Sequence, residues 1–123
     1  MRNLIKNTVF TVGLALSLGA VASERPSHFQ GLPAPDLATA VSNFSDYNTR
    51  LEAAMSGDLT DAELGEIHIL TYTLENALEK INADLAELTQ TLEKIHIASE
   101  TMDRTTLKEA GPEYIKTART VIK

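Results

Sequence analysis

Residues 61–103 read DAELGEIHILTYTLENALEKINADLAELTQTLEKIHIASETMD, a stretch with no proline and one glycine, Gly65, near its start. Just ahead of it, Thr60 and Glu63 match a capping box: the Thr60 hydroxyl can accept the Glu63 amide while the Glu63 carboxylate reaches back to the Thr60 amide. A helix therefore starts here and meets no clear stop over 62–103. Leu64, Thr71, Leu78, Leu85, Leu92 and Ser99 recur at seven-residue intervals, and so do Ile67, Leu74, Ile81, Leu88, Ile95 and Met102. With Leu64 as heptad position a, these are the a and d positions of six unbroken heptads, apolar except at Thr71 and Ser99.

On the N-terminal side, Leu37, Val41, Phe44, Leu51 and Met55 recur at three- and four-residue steps, with Asn48 interrupting the stripe. They predict a helix over about 36–56, with Pro35 suited to its first turn, Asp36 complementing the dipole there and Gly57 just past its end. On the C-terminal side, Leu107, Ala110, Tyr114, Ile115, Ala118, Val121 and Ile122 give an apolar face to a third helix from about Thr105. Pro112, after Gly111, cannot donate to the Lys108 carbonyl, so this helix either kinks or divides there. Its end is basic, with Arg104, Lys108, Lys116, Arg119 and Lys123, which suits packing against the acidic middle helix.

A helix of about 42 residues is roughly 63 Å long, and its neighbours are each roughly 30 Å. Short connections make both neighbours antiparallel to it, one along each half. The expected fold is all-α: an elongated antiparallel bundle of three helices with one long central helix, forming a single helical domain over 36–123. The alternative is a compact four-helix bundle, with the long helix broken near residues 82–84. The elongated form leaves an apolar flank uncovered, which leads to the expectation of a homodimer whose long helices pair.

Ahead of the helices, residues 23–35 hold three prolines and a glycine and form an extended N-terminal arm, with Phe29 and Leu32 as its sizeable apolar handles. Residues 1–22 carry Arg2 and Lys6, an apolar run from Val9 to Ala20, and Ala20 and Ala22 at signal-peptidase spacing. They read as a secretory signal peptide, too short in its apolar run to span a bilayer, so the expected location is periplasmic or secreted with no stable membrane insertion after cleavage. With no cysteine, the exported chain has neither a lipoprotein anchor nor disulfides. Removing Arg2 and Lys6 lowers the 11 basic residues to 9 against 17 acidic ones, a net charge of −8, which disfavours nucleic acid.

Of the three histidines, His28 lies in the arm, while His68 and His96 both fall at heptad position e, 28 residues and roughly 42 Å apart on one helix. They cannot share a ligand within one straight helix. An antiparallel dimer that pairs a with d of the partner sets Leu78 against Leu88, Ile81 against Leu85 and Leu74 against Leu92, and brings His68 beside the partner's His96. With Glu93 and Glu100 nearby, the candidate metal ligands are His68, His96, Glu93 and Glu100, for zinc or copper. The plainer reading leaves both histidines as flank residues packed on neighbouring helices or bonded to a carboxylate. Glu93 and His96 form one Glu-x-x-His, where a di-iron bundle needs two. Haem is an alternative cofactor, with Met55, Met102, His68 and His96 as possible ligands, but no Cys-x-x-Cys-His exists for covalent attachment.

The segments ERPSHFQGLPA (24–34), EIHILTYTLENAL (66–78) and EKIHIASE (93–100), in this order behind a signal peptide, resemble a family of small exported proteins of Gram-negative bacteria catalogued as a domain of unknown function. The resemblance covers the mature chain and implies export and a helical fold, with no activity, cofactor or site residue to carry over. No nucleophile elbow, phosphate loop or zinc-protease helix occurs, so no enzyme is expected. The expectation is a non-catalytic interaction or scaffold protein that self-associates or meets an envelope protein, with no cofactor; the alternative is a metal- or haem-binding carrier.

Overall fold

The computed structural model describes residues 29–122; the segment read as a signal peptide, the first part of the arm with His28, and Lys123 lie outside the described residues. Three helices follow the arm: α1 (Leu37–Met55), α2 (Asp61–Glu100) and α3 (Arg104–Val121). Among the described residues there is no strand, and α2 runs through residues 82–84 without a break. The elongated three-helix form is the one adopted, and the compact four-helix alternative is not.

The local signals explain where each helix starts. Thr60 and Glu63 form the full capping box, with the Thr60 amide donating to Glu63 Oε2 at 2.7 Å and the Glu63 amide to Thr60 Oγ1 at 3.4 Å. Asp36 is the N-cap of α1 and lies outside the first turn where the sequence pattern set it, because its carboxylate accepts the Thr39 amide at 2.8 Å. Asp103 caps α3 in the same way, accepting from the Thr105 and Thr106 amides.

The helix ends depart further from expectation. Gly57 has no positive φ; instead, a Cβ there would run into the Glu63 carboxylate, so the glycine makes room for the capping box. The left-handed residue of that turn is Leu59, at φ 55°. At the far end, α2 stops at Glu100. The Asp103 amide donates to the Ala98 carbonyl and the Met102 amide to that of Ser99, the paired bonds of a Schellman motif, with Met102 in the left-handed position at φ 57°. Met102 is thus a turn residue, 70% exposed, and not the last member of the seam. Pro112 neither divides nor ends α3, which continues as one helix on both sides of it.

The two short helices meet at the middle of α2. Leu37 and Ala40 at the start of α1 pack with Ile81 of α2, and Val121 from the end of α3 joins the same cluster. The buried apolar side chains are Leu37, Ala40, Leu70, Leu74, Ala77, Ile81 and Ala98. Among the described residues three of these seven are alanines and none is aromatic, so the core has little depth.

Two outcomes follow. Replacing Met102 with glycine removes a left-handed cost and should raise stability by up to about 1 kcal/mol in urea unfolding. The cap carboxylates Asp36, Glu63 and Asp103 are held below their ordinary values by hydrogen bonds from Thr39, Thr60 and Thr106 respectively. A lowered folded value contributes stability above the unfolded value and loses it as pH falls through the folded one. The thermal midpoint should therefore drop as pH falls below about 4, with a shallower drop in Glu63→Gln when followed by circular dichroism.

Candidate functional site

The face that α2 gives to its neighbours is narrower than the heptad seam. Its buried residues are Leu70, Thr73, Leu74, Ala77, Ile81 and Ala98, which are positions g, c, d, g, d and g. Helices α1 and α3 lie end to end on one side and cover only this stripe, so the a positions fall on its edge. Leu64, Leu78, Leu85 and Leu92 remain 50, 41, 37 and 45% exposed. Beside them run the e positions His68, Glu75, Asn82, Thr89 and His96, all exposed. The a-to-d pairing of two chains expected from the seam is closed off, because Leu74 and Ile81 are already buried at 7 and 8% exposure inside one chain.

The opposite edge of α2 is covered by the arm. The Leu32 amide donates to Thr73 Oγ1 at 3.0 Å, and Thr73 is fully buried. Asn76 Nδ2 donates to the carbonyls of Gln30 (2.7 Å) and Leu32 (3.0 Å), while Asn43 of α1 donates to that of Pro33 at 3.3 Å. Gly31 sits at φ +69°, where a Cβ would come within 2.7 Å of the Thr73 nitrogen and the Tyr72 carbonyl carbon. The arm is thus fastened by its backbone, with Phe29 and Leu32 still 42 and 46% exposed, and not chiefly by burial of those two handles. A groove of about 820 Å³ runs between arm and helix, lined by Phe29, Gly31, Pro33, Tyr72, Asn76 and Lys80 among others. A second, of about 450 Å³, lies at the junction of the three helices between Asp36, Asp84, Glu113 and Lys116.

His68 belongs to an aromatic row: its ring meets Tyr72 edge-on at 5.1 Å, the Tyr72 hydroxyl lies 3.2 Å from its Nε2, and Tyr72 in turn meets Phe29 at 5.9 Å. His96 Nε2 lies 3.4 Å from Glu100 Oε1 on the next turn, both side chains well exposed. Of the four candidate ligands the structure therefore joins His96 to Glu100, while His68 stands on the same unbroken helix 28 residues away. Glu93 is exposed one turn before His96. Among the described residues of one chain, no three histidine, aspartate or glutamate side chains converge on a point that could hold a metal ion. Met55 and Met102 lie at opposite ends of the bundle, and neither groove above is lined by a histidine. No helix of the described residues is long and apolar enough to cross a membrane.

The QGLP turn of the arm, with its matching Thr73 and Asn76, extends the pattern beyond the helices. The match to known families covers it too. The chain belongs to a family of unknown function, DUF6746, matched over residues 1–123. No curated protein and no solved structure is significantly similar to it. What this DUF6746 chain offers is therefore surface: a leucine-lined stripe on one edge of α2 and a strapped groove on the other. Sequence periodicity located the first, while Thr73, Asn76 and Gly31 were missed, since a hydroxyl, an amide and a glycine leave no periodic trace.

Substituting Gly31 with alanine should release the strap, because the clash is with helix backbone that cannot shift. The expected readout is a large loss of hydrogen-exchange protection at the Leu32 amide, while α1 and α3 amides stay protected. Thr73→Val, which removes the acceptor and keeps the shape, should cost about 1 kcal/mol and expose the same amide.

Proposed function

We propose that this protein is an exported, non-catalytic helical interaction module of the cell envelope, and that the uncovered leucine stripe of α2 is the surface through which it self-associates. One observation carries the reading: four leucines spaced by multiples of seven, Leu64, Leu78, Leu85 and Leu92, stay between 37 and 50% exposed along about 42 Å of a rigid helix. Their spacing is that of a helix-pairing seam, and the described residues of a single chain leave them only partly covered. The thin core of the bundle supports the same reading, since a small domain gains proportionally from burial against a second surface. Export rests on the leader-like composition of residues 1–22.

Sedimentation of the purified protein at micromolar concentration tests it. Each leucine has about half its side chain left to bury, roughly 1 kcal/mol. Leu78→Lys combined with Leu85→Lys should weaken self-association roughly 100-fold or more, and should cost the helical circular dichroism and thermal midpoint of the monomer little, because both side chains lie on the exposed edge of the stripe that α1 and α3 cover. A wild-type protein that sediments as a monomer throughout this range would contradict the reading.

A further inference from the structure

We infer that the occupant of the leucine stripe is a second copy of this chain, antiparallel, with its two-fold axis at Asn82, and that this pairing assembles a divalent transition-metal site at each end from His68 of one chain and His96 with Glu100 of the other. The inference rests on the self-association proposed above.

The centre of the stripe and the two histidines are arranged nearly symmetrically about Asn82. Leu78 and Leu85 flank it, and the two histidines stand 14 residues away on either side. In an antiparallel pair, residues whose numbers share one sum lie at the same level. Leu78 with the partner's Leu85 gives 163, and His68 with the partner's His96 gives 164, as does Asn82 with its own copy. The levels differ by one residue, about 1.5 Å. One placement thus sets Leu78 against the partner's Leu85 and His68 against the partner's His96, with Leu64 and Leu92 level with the partner's Ser99 and Thr71, and an isologous interface requires such self-complementarity.

Charge favours the same face, and at the centre of the stripe the same direction, although Asp61 at each end comes level with the partner's Asp103. Of the nine acidic residues of α2, two, Asp61 at its first position and Glu75, fall on the a and e positions. The other seven lie at positions b, c and g, so faces centred there would set more carboxylates of one acidic chain against those of the next. In the antiparallel pair, Glu75 sits opposite the partner's Thr89, and the two Glu75 carboxylates are roughly 20 Å apart, beyond the screening length of about 8 Å at physiological salt. A parallel in-register pair would place them at one level, facing each other.

The site at each end is incomplete in one chain and complete in two. His96 and Glu100 already approach each other on adjacent turns, at 3.4 Å. His68 is exposed, and the Tyr72 hydroxyl beside its Nε2 sets the ring's orientation, as outer-shell partners of metal-bound imidazoles do. Two imidazoles and one carboxylate, with water in a fourth position, suit a zinc-like cation.

The chain has no cysteine, so introduced ones report the register directly. Oxidation should cross-link Asn82→Cys with itself. His68→Cys alone should stay uncross-linked, but it should join His96→Cys when the two proteins are mixed. A His68→Cys homodimer would show a parallel pair and overturn the inference. Added zinc should bind at one ion per chain and tighten the dimer at least tenfold, and His68→Ala or His96→Ala should each abolish that tightening while leaving the zinc-free dimer intact. Zinc that binds the Leu78→Lys, Leu85→Lys monomer as well as the wild type, or a dimer indifferent to zinc, would refute the shared site. A dimer broken by the two lysines but not cross-linked at Asn82 would leave the self-association standing and remove this inference alone.

Discussion

A helix of 40 residues cannot be covered along its length by a helix of 19 or of 18 unless the two are laid end to end. That constraint sets the rest of the structure. Because no proline or internal glycine breaks α2 after Gly65, each short connection returns its helix along the half of α2 nearest to it. The free ends of α1 and α3 then meet at Ile81. One side of α2 is covered twice in succession, and its flanks are left to other means.

The two flanks are handled differently. On one, the arm is fastened by Thr73 and Asn76, whose side chains replace the hydrogen bonds that extended backbone would otherwise take from water. Gly31 allows the close approach, and no side chain larger than hydrogen fits there. On the other flank none of the described residues covers the leucines at position a, which stay 37 to 50% exposed. Apolar residues that recur every seven positions and remain uncovered are a surface with a partner's geometry already written in their spacing.

Much of this was legible in the sequence. The long helix, its capping box, the two antiparallel neighbours and their meeting near the centre all follow from periodicity, chain length and short loops. The spacing of the seam predicts the long helix, but only part of it forms the core: Leu74 and Ile81 are buried while the leucines at position a are not. A heptad pattern says that a and d are apolar without saying which rank the chain itself buries, and that depends on where α1 and α3 dock. Caps and turns were partly legible: Thr60 and Glu63 declare themselves, whereas Leu59 and Met102 occupy left-handed positions that composition assigns to glycine. The arm contacts were the least legible, since Leu32 and Thr73 are 41 residues apart and joined by one hydrogen bond.

The end-to-end packing, the strap and the leucine stripe all require α2 to be one straight helix in solution. Spin labels on Glu66→Cys and Lys94→Cys, both exposed and away from the leucine rank, measure this directly when the doubly labelled chain is diluted into unlabelled protein. Continuous helix over those 28 residues predicts a separation of roughly 42 Å. A separation under about 20 Å, as a helical hairpin turning near residue 83 would give on the packing distance of neighbouring helices, would contradict it.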